Sequence, residues 1–157
     1  MAITHNKISG VSDGADTDVV RPSDWNAGHV IAKVASDNLR NSHDVEAETA
    51  SGTYVKLKTM TFNAKLTGTI RVKFDLRDGD TGTAYGKLYK NGVACGTEQS
   101  VSGPIAVTKS EDLTDTFSIN DTLEVWGYVI TGIACRISNF RLYYDNADII
   151  TVSTTNS

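Results

Sequence analysis

The stretch "TIRVKFDLR" (69–77) decides the fold, because apolar and charged residues alternate along most of its length. Successive side chains of a β-strand point to opposite faces of its sheet. One face of this strand would therefore be apolar and the other charged. The apolar positions are Ile70, Val72, Phe74 and Leu76. The pattern predicts a half-buried strand of an antiparallel sheet, with one face in a hydrophobic core and the other in water.

Other strands are predicted on either side of this one. Residues 84–99 contain two strand-like runs around Asn91-Gly92, a dipeptide that tolerates the positive φ angles of a type I′ hairpin turn. Residues 53–62 change the parity of their apolar positions, which indicates a bulge near Thr59 or a strand covered on both faces. The remaining strand-like runs are 105–109, 114–118, 120–130 and 133–145.

About seven or eight short strands with frequent turn signals predict an all-β fold, an antiparallel β-sandwich. Long first and last strands with hairpins between them favour a jelly-roll-like arrangement over an immunoglobulin fold. We divide the chain into an extended N-terminal arm (1–48), the β-sandwich domain (49–145) and a C-terminal tail (146–157). The arm lacks helical and strand periodicity, although Ser36 could cap a helical turn within 35–48.

The composition argues against several classes of partner. The net charge is −4 and the 15 Lys and Arg residues are scattered, whereas nucleic-acid binding needs clustered positive charge. The N-terminus lacks a basic segment followed by an apolar one, so it does not have the pattern of a secretory signal. The longest strongly apolar window, 123–135, is too short to span a bilayer. We expect no nucleic acid and no membrane as partner, and synthesis in the cytoplasm.

Residues that could bind a metal are few and dispersed. Cys95 and Cys135 lie in strand-like runs and are expected to be buried free thiols, with a disulfide between them as the alternative. His5, His29 and His43 could bind a metal only if the fold or an oligomer axis gathered them. We therefore expect no cofactor and no metal.

The segment "DGDTG" (78–82) begins like a calcium-binding loop, with Asp78 and Asp80 as oxygen donors. The closing Glu of an EF-hand is absent, and the segment lies between two predicted strands. A β-turn formed by Asp and Gly is therefore the favoured interpretation.

A catalytic site is not indicated. Ser23, Asp24 and His29 could be arranged on paper as a triad, but a segment without regular structure is a poor scaffold for a catalytic base. The nucleophile motif GxSxG is absent. We expect that the protein is not an enzyme.

Aromatic residues in the predicted strands suggest a sugar-binding surface. Exposed rings stack on the apolar faces of sugars, and jelly rolls include lectin domains. The candidates are Tyr54, Tyr85, Tyr89, Tyr143 and Trp126. The alternative, which the sequence favours, is that most of these rings are core or interface residues.

The N-terminal segment "THNKISGVSDGADTDVVRPSDWNAGHVI" (4–31) points to a family. It resembles a segment near the N-terminus of tailed-bacteriophage structural proteins, with the approximate core "DT..VRPSDWNA.H". The matching positions are Asp16, Thr17, Val20, Arg21, Pro22, Ser23, Asp24, Trp25, Asn26, Ala27 and His29. Residues 82–100 and 136–145 are similar to small sandwiches in phage fibre and decoration proteins.

The resemblance implies a non-enzymatic virion structural protein, either a capsid decoration or a fibre component, located in the virion after synthesis in the host cytoplasm. The arm would attach it to other virion proteins of the capsid or tail, or to sister subunits in a homotrimer or homodimer. The assembly anchor would consist of Arg21, Pro22, Asp24, Trp25, Asn26 and His29.

Three alternatives to this interpretation stay open at the level of sequence, and the third, which the sequence favours least, is a hydrolase that acts on host-surface polysaccharide. In the first, the arm folds back and Trp25 fills the core of its own sandwich. In the second, the protein is a receptor- or carbohydrate-binding module of a tail fibre and binds a host-surface glycan.

Overall fold

The computed structural model describes residues 38–144 in full and, in addition, the backbone of three short strands in the terminal regions. Two of these, β1 (Ala2–Ile3) and β2 (His29–Val30), pair antiparallel with each other in a first unit of the chain, Met1–Val34. The second unit, Ala35–Ser157, contains the remaining described strands. In the described part of the chain there is no helix long and apolar enough to cross a membrane.

The second unit is a sandwich of two antiparallel sheets. The first sheet consists of β3 (Leu39–His43), β4 (Ala47–Thr49), β6 (Leu66–Asp78), β10 (Val107–Phe117) and β12 (Cys135–Tyr143). Its order is β10-β6-β12-β3, and β4 also pairs with β12. The second sheet consists of β5 (Val55–Phe62), β7 (Thr83–Lys90), β8 (Val93–Ala94), β9 (Gln99–Ser102), β11 (Thr122–Thr131) and β13 (Val152–Asn156). Its order is β13-β5-β11-β7-β8, and β9 also pairs with β7. The predicted all-β, jelly-roll-like antiparallel sandwich is confirmed.

The hydrophobic core lies between the two sheets. The apolar positions of "TIRVKFDLR" are each at most 1% exposed, as their alternation predicts. The charged residues between them lie on the outer face and are half-buried. The second sheet contributes inward-facing apolar side chains, among them Met60, Leu88, Leu123 and Val125. The alternating pattern therefore places one face of each central strand in the core.

The predicted hairpin turn is confirmed at Asn91 and Gly92. Their φ angles are 50° and 78°, both in the left-handed region that a type I′ turn requires. Lys90 of β7 pairs with Val93 of β8 directly across the turn. The turn fixes the register of the two strands.

The bulge predicted near Thr59 is present in β5. Lys56 and Lys58 lie opposite consecutive residues of β11, so that Leu57 is the additional residue. The bulge changes which side chains face inward, and this accounts for the change of parity in the sequence.

Downstream of the bulge, Lys58 points into the sandwich, and its residue is 0% exposed. Its ammonium donates to the carbonyl oxygen of His43 at 3.4 Å and to that of Val45, in the connection between β3 and β4. Burial lowers the pKa of Lys58, although the nearby carboxylates of Asp44 and Glu46 act in the opposite direction. Backbone carbonyls therefore take the place of water around this buried cation.

Replacing Lys58 with Met is expected to change how stability depends on pH. Because the pKa of Lys58 in the folded chain lies below its ordinary value of 10.5, the unfolded chain holds more protons between the two values. The free energy of unfolding of the wild type should therefore rise with pH in that interval, relative to Lys58→Met. Urea denaturation from neutral pH to pH 10.5 measures the difference. Lys56→Met is the matched control on the solvent side, and equal slopes for wild type and Lys58→Met would contradict the expectation.

Two local predictions from the sequence are wrong. The described part of 35–48 contains no helical turn; it forms β3 and β4, which belong to the first sheet because both pair with β12. The two short strands predicted at 105–109 and 114–118 are one strand, β10, which pairs with β6 along its whole length. β10 is an edge strand with a mostly exposed surface, so its middle is polar and lacks the alternation that marks a buried strand.

Candidate functional site

Five aromatic side chains lie together on the outer face of the second sheet, and we call them the aromatic platform. They are Tyr54, Tyr85, Tyr89, Trp126 and Tyr128. Each is half-buried, and none belongs to the hydrophobic core. Tyr85 and Tyr89 lie on β7, Trp126 and Tyr128 lie on β11, and Tyr54 immediately precedes β5. The platform therefore extends over three neighbouring strands.

The platform consists of two stacked pairs with Tyr54 between them. The rings of Tyr85 and Tyr128 stack with centroids 4.5 Å apart and planes within 9°, and those of Tyr89 and Trp126 with centroids 4.7 Å apart and planes within 22°. The centroid of the Tyr54 ring lies 4.7 Å from that of Tyr128 and 5.8 Å from that of Tyr89, with interplanar angles of 71° and 61°. Ring pairs with these geometries attract one another beyond their burial. The five rings therefore hold each other in fixed orientations.

A carboxylate borders the platform. The hydroxyl of Tyr54 donates to Oε2 of Glu98 at 2.6 Å, and the hydroxyl of Tyr128 lies 3.5 Å from the same oxygen. Burial, together with the hydrogen bond to Glu98, raises the pKa of Tyr54 well above its ordinary value. Burial and the charge of Glu98 also raise the pKa of Tyr128. Both phenols therefore remain protonated hydrogen-bond donors at neutral pH.

Trp126 is held in place by a buried carboxylate. Its Nε1 donates to Oε2 of Glu124 at 2.7 Å. Glu124 is 4% exposed; its Oε1 accepts a hydrogen bond from the hydroxyl of Thr122 at 2.9 Å and lies 3.8 Å from the ammonium of Lys56. The carboxylate of Glu124 has three partners and holds the indole of Trp126 in place before a ligand binds. Binding therefore costs less side-chain conformational entropy.

Two glycines lie directly behind the platform. Gly86 of β7 and Gly127 of β11 pair with each other on the inner side of the sheet. A Cβ atom on Gly86 would lie 3.0 Å from Cε2 of Phe74, and one on Gly127 would lie 2.6 Å from Sγ of Cys135. The first sheet therefore packs directly against the backbone of β7 and β11 at this point. In both strands the sequence places a ring outside and a glycine inside.

The outer face of the first sheet has a different character, because several of its charges form ion pairs. The closest ion pairs are Arg71–Asp112, Arg77–Glu46 and Arg136–Glu48, each with an N–O distance of 2.8 Å. Tyr143 also lies on this face, with the ammonium of Lys73 4.9 Å from the centroid of its ring. The two outer faces therefore differ: one is charged and internally paired, and the other is aromatic.

Four of the five aromatic candidates from the sequence come together in the platform, and Tyr143 is the exception. These four rings do not belong to the core, so that part of the alternative is wrong, whereas a role at an interface stays a prediction. Sequence reasoning missed Tyr128 and Glu98. Tyr128 could have been identified from the sequence, because it lies two positions after Trp126 on β11 and therefore on the same face of the strand. Glu98 lies in the connection before β9, where no periodic pattern indicates its position.

The residues predicted as an assembly anchor are not part of this site. Arg21, Pro22, Asp24, Trp25 and Asn26 lie outside the described residues, as do Ser23 and His5. The backbone of His29 lies in β2, where it pairs with Ile3. The anchoring role therefore stays a prediction.

A metal centre is not found in the described part of the chain. Residues 38–144 contain no group of three or more His, Cys, Asp or Glu side chains that could hold a metal ion. His43 lies in β3 beside Lys58, and burial together with the charge of Lys58 lowers its pKa.

The segment "DGDTG" forms the turn between β6 and β7. Oδ2 of Asp78 accepts hydrogen bonds from the backbone N–H groups of Asp80 and Gly82, both at 2.8 Å. Burial alone would raise the pKa of Asp78, but the backbone hydrogen bonds outweigh it and the net shift is downwards. The dipoles of backbone N–H groups thus stabilise the charge of Asp78 within the turn, which supports the turn interpretation.

Both cysteines are free thiols. Cys135 is buried, as predicted, but Cys95 is exposed and the prediction is wrong for it. Cys95 follows the end of β8, where its amide and that of Gly96 both donate to the carbonyl of Leu88. This irregular backbone ends the strand pairing and leaves Cys95 on the surface.

A thiol titration with Ellman's reagent is expected to find one reactive thiol per native chain and two in denaturant. Burial raises the pKa of Cys135 to about 12. Partial burial and the carboxylates of Glu111 and Asp115 raise the pKa of Cys95 to about 11, so its reaction should be slow at pH 8 and accelerate towards pH 11. Cys95→Ser should remove the native signal. Two thiols reacting in the native state would contradict the buried position of Cys135.

The platform borders an open depression of about 330 Å³, lined by Gly52, Thr53, Tyr54 and Tyr128. Ring faces attract the C–H groups of a ligand, and the bordering carboxylate and hydroxyls can bind hydroxyl groups. The chemistry suits a ligand that carries apolar C–H faces and many hydroxyls.

No known family model and no curated protein sequence matches this chain. Solved structures with a similar arrangement include the carbohydrate-binding module CBM36 in complex with calcium and xylotriose, which is 14% identical with a TM-score of 0.43 over 73% of this chain and 100% of that one. Another is the CBM22-1 xylan-binding domain of Paenibacillus barcinonensis Xyn10C, 14% identical with a TM-score of 0.42 over 74% of this chain and 99% of that one. A third is the EclA C-terminal domain, a sugar-binding protein, 15% identical with a TM-score of 0.40 over 92% of this chain and 99% of that one. Similarity this distant does not establish which ligand this chain binds.

Proposed function

We propose that this chain is a non-enzymatic carbohydrate-binding module and that the aromatic platform is its binding surface. The observation that carries the proposal is the continuous set of half-buried rings on the outer face of the second sheet. Sugars present apolar C–H faces, which stack on aromatic rings, and hydroxyls, which bind carboxylates and other polar groups. The platform, and not the distant similarity in fold, supports this function.

The geometry of the platform supports binding because the rings are positioned in advance. The hydrogen bond from Trp126 to Glu124 and the contacts of Tyr54 with both stacked pairs restrict the side chains before a ligand arrives. Gly86 and Gly127 let the first sheet support the strands from behind. A ligand would therefore bind to a surface that needs little rearrangement.

Affinity electrophoresis of the full chain tests this function. Native gels would contain xylan, mixed-linkage β-glucan, galactomannan or a bacterial capsular polysaccharide, and retardation in at least one is expected. Tyr85→Ala and Trp126→Ala should each weaken that binding about tenfold or more, which corresponds to ~1.4 kcal/mol. Tyr143→Ala is the matched control, because it removes a half-buried ring from the other sheet and should leave retardation unchanged.

Two outcomes would contradict the proposal. Equal retardation of wild type, Tyr85→Ala and Trp126→Ala would place binding elsewhere. Absence of retardation in every gel, combined with a wild-type dimer or trimer that Trp126→Ala dissociates, would make the platform a subunit interface instead. Analytical ultracentrifugation of the same proteins provides that second measurement.

We also propose, from the resemblance of residues 4–31 to phage structural proteins, that the module is a component of a bacteriophage virion. The arm would attach it to the particle or to sister subunits through Arg21, Pro22, Asp24, Trp25, Asn26 and His29. Burial of Trp25 on assembly would contribute a few kcal/mol, about the size of a binding hot spot. The module would then present its platform to a host-surface glycan.

Co-sedimentation with particles that lack the protein tests the attachment. Full-length protein should pellet with the particles, whereas a variant without residues 1–35 should remain in the supernatant. Trp25→Ala should behave like the truncated variant if the anchor is specific. Equal pelleting of full-length and truncated protein would show that the sandwich itself makes the contact.

A further inference from the structure

We propose that the aromatic platform binds an internal stretch of a linear glycan, several sugar units long and laid across both stacked pairs, and not the end of a sugar chain. This inference rests on the proposed function. It adds the class of ligand, a polymer recognised along its length.

The first argument is the extent of the platform. Tyr85 and Tyr89 lie on the same face of β7 and are separated by about 13 Å, at roughly 3.3 Å per residue. One sugar ring is comparable in size to one aromatic ring. A single sugar unit could therefore cover only one part of the platform, and several consecutive units are needed to contact both stacked pairs.

The second argument is the shape of the surface. The depression beside Tyr54 and Tyr128 is bordered by Gly52 and Thr53, both exposed and both small. These residues do not form a wall that would stop a chain from continuing past the rings. Sites that recognise a single small ligand enclose most of its surface. An open border of this kind suits a ligand chain that extends beyond the site in both directions.

The third argument is the distribution of polar groups. Glu98 lies beside Tyr54 and Tyr128, and its Oε1 has no hydrogen-bond partner among the described residues. Lys87 lies between Tyr85 and Tyr89 on β7, opposite Trp126. Polar groups at separate positions along the platform match hydroxyls that repeat along a chain, whereas recognition of a chain end would concentrate them around one sugar.

Calorimetric titration with a size series tests this inference. The ligands are fractions of one to eight sugar units, prepared by partial hydrolysis of whichever polysaccharide in the gels retards the wild type most. Affinity should increase by about tenfold or more from one or two units to five or six, and then level off once the platform is filled. Equal affinity for the monosaccharide and the longest fraction would overturn the inference.

A second measurement separates internal from terminal recognition without any variant. The same polysaccharide is sheared to half its length, and binding sites are counted per unit mass. Internal recognition predicts an unchanged number, whereas recognition of chain ends predicts twice as many. A doubled count would overturn the inference and leave the carbohydrate-binding function standing. Absence of binding to every polysaccharide would overturn both.

Discussion

The variant Asp78→Ala is expected to lose about 3 kcal/mol or more of its free energy of unfolding, because its buried carboxylate accepts two backbone amides of the turn between β6 and β7. Its carboxylate accepts the amides of Asp80 and Gly82, which lie in the turn between β6 and β7. Removal of the carboxylate leaves the turn amides without their acceptor in a site that is 0% exposed around Asp78.

The same residue should make the protein sensitive to acid. The pKa of Asp78 in the folded chain lies below its ordinary value of 3.8, so its contribution is complete above that value and is lost as the pH falls through the lower, folded value. Urea denaturation between pH 7 and pH 2.5 measures this loss, which Asp78→Asn should not show. Asp80→Ala is the matched control, because Asp80 is exposed in the same turn. Added calcium should leave the wild-type midpoint unchanged, and a large calcium-dependent increase would contradict the turn interpretation.

Phe74→Ala is expected to lose about 3 to 5 kcal/mol, because its ring is 1% exposed and fills the space between the sheets. The ring packs against Gly86, where an added Cβ would lie 3.0 Å from Cε2 and 3.5 Å from Cζ. Gly86→Ala should therefore cost about 1 to 3 kcal/mol by overpacking. In a Phe74→Leu background the cost of Gly86→Ala should be smaller, because the clashing ring is gone.

Urea denaturation of Phe74→Leu, of Gly86→Ala and of the variant with both substitutions measures this coupling as a double-mutant cycle. Tyr143→Ala, on the outer face of the first sheet, is the control for loss of an aromatic ring and should cost less than about 1 kcal/mol. Additive effects of the two substitutions would show that Phe74 and Gly86 do not contact each other as described.

The strongest local signals in the sequence predicted the fold well. The alternation in "TIRVKFDLR" and the dipeptide Asn91-Gly92 depend on residues a few positions apart, so the sequence shows them directly. β3 and β4 were missed because short, half-exposed strands form only when β12 is there to pair with them. The continuous β10 was missed for a related reason: an edge strand does not need an apolar face along its whole length.

The candidate site was predicted in part. Parity could place Tyr85, Tyr89 and Trp126 on strand faces, but it could not say which face would be covered. That depends on Gly86 and Gly127, whose missing side chains let the opposite sheet approach from one side and leave the rings on the other. The position of Glu98 depends on a connection between strands, which no periodic pattern determines.

The glycine pair behind the platform also has a consequence for engineering. Tight packing on Gly86 and Gly127 fixes the strands from the inside, and the outward positions next to them are not part of the hydrophobic core. The platform can therefore serve as a randomised surface for selecting new binding specificities, while the glycines and the residues that pack on them are kept constant. Libraries that vary the five rings should yield folded proteins far more often than libraries that vary the glycines.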